Sequence, residues 1–430
     1  MTAIDDTPRG EALEVATQEL RALGVRVLLA PDDATIADVL SATDLVMPSP
    51  GVRPDHQILR NAIALHVPVR SEIDLAAERI FAPIIAVTGT NGKTTTVEMI
   101  TAMLVADGRR VLCGGNIGTP LISFAGVEAD VVVAEASSFQ LHFVTEAFRP
   151  AVAVLLNIAD DHLDWHGSFD AYRDAKCNVF RAQQPDDVLI SNLDDPVVGE
   201  LHARRREAIS EALPRPREIT VGVARPADFT VTNGHLTGFS TTIIDADELP
   251  RSLPHDVTNS LVASAAALSF GVSMDAVRRV LKNYATLPHR VQYIGENRGV
   301  LFYNDSKATN PHATLRAVES FDSVVLLAGG LNKGLDLGSL RASVPPVKSV
   351  VAFGAAQHEV ATAFADLVPV TKADAMSDAV RSAISLAQPG DVVLLSPACA
   401  SFDMYPGGYT ERGEDFSAIV RRFITEEHPA

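Results

Sequence analysis

"PIIAVTGTNGKTTTVEMITAMLVADG", residues 83–108, is the stretch whose reading decides the fold. An apolar run of strand character enters a glycine-containing turn, and a helical pattern begins at about Thr94. That order brings free helix N–H groups, the Lys93 ammonium and threonine hydroxyls to one point. Backbone donors and the helix dipole favour phosphate, the lysine adds a point charge, and Thr94 or Thr95 can reach a magnesium ion. The usual phosphate-loop spacing calls for glycine at position 87, where Val87 stands. The run reads instead Gly89-Thr90-Asn91-Gly92-Lys93-Thr94-Thr95. The bland alternative is an ordinary strand-to-helix turn carrying a surface lysine.

Outward from this loop the pattern repeats. "RRVLCGG" (109–115), "ADVVVAEAS" (129–137), "PAVAVLLNIA" (150–159) and "DDVLISN" (186–192) are near-continuous Val/Ile/Leu/Ala runs separated by helical patterns. Such strands predict a parallel sheet covered on both faces. "LPRPRE" (213–218) leads to "FTVTNGHLTGF" (229–239), a hairpin appended to that sheet. The helices "NSLVASAAALSFG" (259–271) and "SMDAVRRVLKNY" (273–284) follow. After "LPHR" (287–290) a further set of strands begins, "VLFYNDS" (300–306), "SVVLLAGG" (323–330), "VKSVVAFG" (347–354) and "DVVLLSPA" (391–398), and it ends in the helix "RGEDFSAIVRRFITEE" (412–427). Residues 22–80 form a smaller unit in which the strands "VRVLLA" (25–30) and "DLVMPSPGV" (44–52) alternate with the helices "IADVLSA" (36–42) and "HQILRNAIALH" (56–66). Three α/β domains are expected, 1–80, 81–286 and 287–430.

A chain of 430 residues exceeds one ordinary core, and 47% hydrophobic residues leave ample material to bury. The net charge of -18 argues against nucleic acid or an anionic membrane as general partner. No apolar run approaches the roughly 20 residues that span a bilayer. Met1 to Arg9 lacks the pattern of a signal peptide, so the cytoplasm is expected. Cys113, Cys177 and Cys399 are odd in number and lack metal spacing, which suits buried reduced thiols.

Several polar groups stand at strand ends, where ligands gather in open parallel sheets. Glu135 closes "VVVAE" and is a magnesium-ligand candidate beside Ser137, Ser138 and Gln140; the alternative is a strand-end salt bridge. Asp161 and His162 could bind metal or substrate, or be structural. Lys176, in "FDAYRDAKCNVF", is spaced to share a helix face with Tyr172 and Phe180. A lysine there loses its charge, pairs with an acid or becomes modified, and an acid partner is the default. In the last third, Arg290 suits phosphate and Asp305 suits ribose hydroxyls, with loop polarity as the alternative for each. Lys307, Thr309 and Asn310 follow Asp305 just beyond a strand, and Lys333, Ser401 and Tyr409 lie in loops able to clasp a carboxylate.

"GTNGKTTT", "GGNIGTPL", "EASSFQL", "DDHLDWHGSFDAYRDAK", "LPHR", "NDSKATNP" and "SPACASFDMY", in this order, resemble the Mur ligases across residues 30–425. The last three narrow the resemblance to the D-glutamate-adding (MurD) family. It implies an N-terminal Rossmann-like domain, a central P-loop ATPase-like parallel sheet and a C-terminal Rossmann-like domain. It also implies ATP-dependent formation of an amide from UDP-N-acetylmuramoyl-L-alanine and D-glutamate through an acyl phosphate, in peptidoglycan precursor synthesis, by a monomer. Lys93, His162 and Lys176 become the catalytic residues. Gly89 to Thr95, Asn259, Arg290 and Asp305 become ATP contacts. Thr94 and Glu135 become ligands of one magnesium ion, and His162 and Lys176 of a second. The resemblance makes Lys176 a carbamylated lysine, overturning the acid-partner guess. Asn116, Ser137 and Gln140 align with muramoyl contacts, and Thr309, Lys333, Ser401 and Tyr409 with D-glutamate contacts. One departure is expected: "MTAIDDTPRG" matches the family's second strand, so the first βα unit of the uridine-binding domain is missing, an unpaired sheet edge is exposed, and Asp5, Asp6 and Thr7 remain as uracil-side candidates. The alternatives are a non-catalytic nucleotide-binding paralogue and another Mur or folylpolyglutamate-type ligase.

Overall fold

A computed structural model describes residues 1–7, 11–207, 215–285 and 287–426. Leu213 and Pro214 of "LPRPRE" and Thr286, the expected end of the middle domain, lie outside the described residues.

The strands β1 (Thr2–Asp5) and β2 (Arg26–Leu29) pair in parallel as a two-stranded sheet. The largest sheet holds β3 (Ile84–Thr88), β4 (Val111–Gly115), β5 (Val131–Glu135), β6 (Val152–Leu155), β7 (Val188–Asn192), β8 (Arg217–Val221), β9 (Phe229–Thr232), β10 (His235–Gly238) and β11 (Thr241–Asp245). Their order is β11-β10-β9-β8-β7-β6-β3-β5-β4, parallel except for the β9-β10-β11 meander at one edge. The third sheet holds β12 (Gln292–Asn297), β13 (Val300–Asn304), β14 (Val324–Gly329), β15 (Val347–Phe353), β16 (Val370–Ala373) and β17 (Val392–Ala398), in the order β12-β13-β17-β14-β15-β16, with β12 alone antiparallel.

The continuous apolar runs are explained by burial on both sides. Along β3, Ile85 and Val87 point to a core shared with the helices Lys93–Ala106 and Pro254–Ser269, while Ile84 and Ala86 point to a core shared with Leu121, Phe124, Leu141 and Phe148. A period of two with two apolar faces leaves no polar alternation. The third sheet repeats this: Leu326, Val350 and Leu394 face one core, and Val325, Val351 and Val393 face another that includes Phe416 and Val420 of the final helix, Gly408–Glu426.

The N-terminal unit differs from expectation. "DLVMPSPGV" contributes only an isolated parallel bridge, Val46 to Val69, because two prolines and a glycine break any longer ladder. β8, β11, β12 and β16 are additions to the expected strands. Phe180 falls in a short turn after the helix Phe169–Cys177, where the Arg205 guanidinium lies over its ring.

Loops at the carboxyl ends of β3, β5 and β6 in the large sheet, and of β13 in the third, face one another. The architecture therefore assembles the site from two sheets.

Candidate functional site

The loop after β3 is set by Gly92, which caps the helix Lys93–Ala106 in a left-handed conformation, φ 84°. A side chain at this position would be strained, and its Cβ would meet Asn259 Oδ1 at 2.8 Å. Neighbouring strands pin the loop. Asn157 accepts from the Asn91 amide at 2.8 Å, donates to the Asn91 carbonyl at 3.0 Å, and its own carbonyl takes the Thr90 amide at 2.9 Å. The Thr90 hydroxyl lies 2.9 Å from the Tyr172 hydroxyl and accepts from the Ala159 amide.

Lys93 Nζ curls back to donate to the carbonyls of Gly89 and Thr90, at 2.8 and 2.9 Å. Lys176 Nζ, 2% exposed, donates to the same Gly89 carbonyl at 2.8 Å and stands 4.6 Å from the Tyr172 ring centroid. The acid partner is thus replaced by a carbonyl and an aromatic face; among the described residues no carboxylate pairs with Lys176. Burial first, and then the Lys93 charge, hold its pKa well below the usual lysine range. The amine is biased toward its neutral form.

Thr94 donates to Glu135 Oε2 at 2.9 Å, and Asn116 Nδ2 donates to Oε1 at 2.8 Å. Thr94 and Glu135 place two hard oxygens together beside the phosphate loop. That donor set fits magnesium, which uses few protein oxygens and shares the rest with phosphate and water. Among the described residues no three His, Cys, Asp or Glu converge as a metal cluster. His162, with φ 52°, lies 3.6 Å from Asp161 and packs on Phe139 at 4.6 Å between ring centroids. Burial lowers its pKa against the opposing charge of Asp161, leaving a lone pair for a ligand.

A cavity of about 640 Å³ opens between the two sheets. Thr90 to Thr95, Asn116, Glu135, His162 and Asn259 form its wall on the large-sheet side, and Arg290, Asp305 and Thr309 face them. Direct contacts cross it: Asn91 Nδ2 reaches His312 Nδ1 at 2.9 Å, and Asn310 Nδ2 reaches Asp161 at 3.3 Å. Burial takes the His312 pKa down to about 4, which keeps Nδ1 available as an acceptor. The Arg290 side chain makes no hydrogen bond or ion pair within the described residues. Asp305 is buried, accepts from Ser396 Oγ at 2.8 Å and the Val291 amide at 3.2 Å, and its pKa is raised by burial to about 7.

Other expected residues stand behind or beside this cavity. Gly89 and Lys176 lie under the loop. Ser137 and Gln140 form a reciprocal cap on the short helix Ser138–His142, so both are already engaged with one another. Lys333 is exposed, while Ser401 is buried and its carbonyl takes the amides of Met404 and Tyr405. Lys307 stands 3.8 Å from the Tyr409 ring centroid. In the N-terminal unit Asp5 accepts from the Thr7 amide at 2.7 Å, and Asp6 meets His56 at 2.7 Å.

Sequence reasoning missed Arg412. It is completely buried, and donates to Ser306 Oγ and carbonyl (2.9 and 2.8 Å) and to the carbonyls of Cys399 and Ala400 (3.1 and 3.3 Å). Burial brings its pKa down to about 10. One guanidinium thereby ties the loop after β13 to the loop after β17. Its neighbours "TERGED" read as a solvated charged face, and nothing in their spacing distinguishes Arg412.

Two family models match the chain: the Mur ligase middle domain over residues 87–267 and the Mur ligase glutamate ligase domain over residues 289–399. A UDP-N-acetylmuramoylalanine--D-glutamate ligase of Desulfosudis oleivorans is 41% identical over 392 residues, 90% of this chain and 84% of the relative. One from Thermobifida fusca is 40% identical, covering 97% and 91%. Among solved structures, MurF from Acinetobacter baumannii superposes with a TM-score of 0.61 at 19% identity, covering 87% of this chain and 90% of its own. MurC from Thermotoga maritima gives 0.58 at 18%, covering 95% and 91%. At these identities the structures speak for the fold alone.

Proposed function

The chain belongs to the Mur ligase family, and from that premise we propose that it joins D-glutamate to UDP-N-acetylmuramoyl-L-alanine with ATP as phosphoryl donor. The observation that supports this most is the two-sided cavity, with a phosphate loop on one sheet facing Arg290, Asp305 and Thr309 on the other. A carboxylate is a poor electrophile. Transfer of the γ-phosphoryl group to its oxygen breaks the bond to ADP and forms an acyl phosphate. The D-glutamate amine then attacks the carbonyl carbon, loses a proton and expels phosphate, leaving the amide. Phosphoryl transfer asks the protein chiefly for positioning and charge neutralisation.

In this reading Lys93 leaves the Gly89 and Thr90 carbonyls for the γ-phosphate, the amides of residues 89–95 cradle the phosphates, and Arg290 approaches from the other side. Asn259 and Asp305 hold the nucleoside. Asn116, Ser137 and Gln140 orient the muramoyl substrate, and Thr309, Lys333, Ser401 and Tyr409 hold D-glutamate. Thr94 and Glu135 would hold one magnesium ion, and His162 with a carbamylated Lys176 a second. When bound, magnesium neutralises phosphate charge and polarises the phosphoryl group. A neutral Lys176 amine is the form that adds to CO2: its lone pair bonds carbon, one N–H proton goes to solvent, and a carbamate anion results. Residues 1–80 serve the uridine nucleotide, 81–286 ATP and 287–430 the amino acid. The cytoplasm is the proposed compartment and a monomer the proposed state; among the described residues no helix is long and apolar enough to cross a membrane.

The test is phosphate release from purified protein, ATP and magnesium. Release that requires both UDP-N-acetylmuramoyl-L-alanine and D-glutamate supports the proposal. Release with L-glutamate and a folate instead assigns another ligase, and nucleotide binding with no turnover assigns a non-catalytic paralogue.

A further inference from the structure

Arg251 stands between β11 and the helix Pro254–Ser269, on the large-sheet side of the cavity, and every N–H of its guanidinium is engaged. Nε and Nη2 fork onto the Asp256 carboxylate at 2.6 and 2.7 Å, and Nη2 also faces His255 Nε2 at 3.3 Å. Nη1 donates to the carbonyls of Arg290 and Val291 at 2.9 and 2.6 Å. Four donors thus meet oxygens and the fifth faces an imidazole nitrogen, so none points freely at a phosphate. Asp256 is buried, and a planar fork against its carboxylate fixes the geometry of the partly exposed Arg251.

The gripped backbone is strained. His289 and Val291, on either side of Arg290, have φ of 60° and 45°, a region that a β-branched residue such as valine avoids. Such conformations persist where surrounding contacts over-determine them, and they cluster at functional sites. The far side of the same turn is also held, because the Val291 amide donates to Asp305. Between these two anchors projects Arg290, whose guanidinium has no partner among the described residues and lines the cavity. One arginine has all its donors committed to backbone and carboxylate; the other presents all of its donors to the cavity.

We propose that Arg251, held by Asp256, is a positioning residue: by clasping the left-handed turn at 289–291 across the two sheets, it aims Arg290 and Asp305 at the nucleotide. The proposal rests on the reading of the cavity as the ATP site. It is a statement about coupling, so a double-mutant cycle reads it.

The full chain is prepared as wild type, R251M, R290M and R251M/R290M. Binding of ADP with magnesium is measured by calorimetry, and KM for ATP and kcat by phosphate release. R251M is expected to weaken ADP binding and raise the KM for ATP by roughly 5- to 100-fold, with little further loss in the double variant. Arg251→Lys keeps the charge without the fork, so it should resemble R251M and fail to rescue. Wild-type affinity in R251M alongside weakened R290M overturns the clasp and leaves the ATP site standing. Losses that multiply in the double variant also overturn it, because Arg251 would then act independently of Arg290. Wild-type affinity in R290M overturns the reading of the cavity itself. Should R251M fail to fold, Arg251→Lys and Asp256→Asn carry the same cycle against R290M with the same criteria.

Discussion

Replacing Asp305 with asparagine should stabilise the protein above neutral pH and matter little in acid. The carboxyl is buried, and burial raises its pKa from 3.8 to about 7 against hydrogen bonds from Ser396 and Val291 and the charges of Arg290 and Arg251. The folded chain keeps a proton that the unfolded chain releases between pH ~4 and ~7. Stability is therefore fully present below that window, falls as pH rises through it, and levels off above. At ~1.4 kcal/mol per tenfold the full span is on the order of 4 kcal/mol, of which roughly 2 kcal/mol falls between pH ~5.5 and ~8. Asparagine retains an oxygen for the Val291 amide, and its NH2 can donate to Ser396 Oγ once that hydroxyl turns from position 305 to Thr314 Oγ1, its alternative acceptor at 3.1 Å. Denaturant unfolding of both proteins at the two pH values cancels groups common to both. The stability difference, variant minus wild type, should grow by roughly 2 kcal/mol on going to alkaline pH. A difference that stays constant within about 0.5 kcal/mol would refute the argument that this carboxyl is held protonated by its surroundings. The same substitution should weaken nucleotide binding, so stability would rise while function falls.

Gly92→Ala forces a side chain into the left-handed region at about 1–2 kcal/mol and pushes Asn259 aside; a melting point lower by a few degrees and a higher KM for ATP are expected. Arg412→Met strips the donor from the buried carbonyls of Ser306 and Cys399, at about 1–3 kcal/mol each, while Ala400 keeps the Leu331 amide, so the melting temperature should fall and the KM for D-glutamate should rise. Lys176→Ala should abolish a carbamate resonance that wild-type protein gives with isotopically labelled bicarbonate. It should also lower kcat by roughly 10- to 100-fold, with a higher magnesium requirement. Wild-type turnover in that variant would remove Lys176 from the mechanism.

Much of the fold was legible because most strands of the parallel sheets are continuous apolar runs buried on both faces, a pattern that a surface helix does not produce. The edge strands β12 and β16 were not, since Gln292–Asn297 and Val370–Ala373 are short, polar and partly exposed, and thus resemble loops. Within the site, chain order was enough to nominate Gly89 to Thr95 and the odd position of Lys176. It could not supply the lysine's actual neighbour, because hydrogen bonding to Gly89 joins residues 87 apart in the chain. The Ser137–Gln140 spacing also fits a helix cap, a competing role that becomes visible only once the short helix is placed. Arg412, and the reach of Arg251 to the carbonyls of Arg290 and Val291, escaped because backbone acceptors distant in the chain leave no pattern in the residues beside an arginine.

Two amines rest on one oxygen, the Gly89 carbonyl, and that sharing imposes an order of events. While Lys93 stays folded over its loop, its charge adds to the larger effect of burial in keeping Lys176 basicity low. Once a triphosphate draws Lys93 away, that repulsion weakens and protonation competes better. On the proposed carbamylation of Lys176, assembly should run from lysine modification to nucleotide loading, and an enzyme filled with nucleotide before it meets bicarbonate should activate slowly.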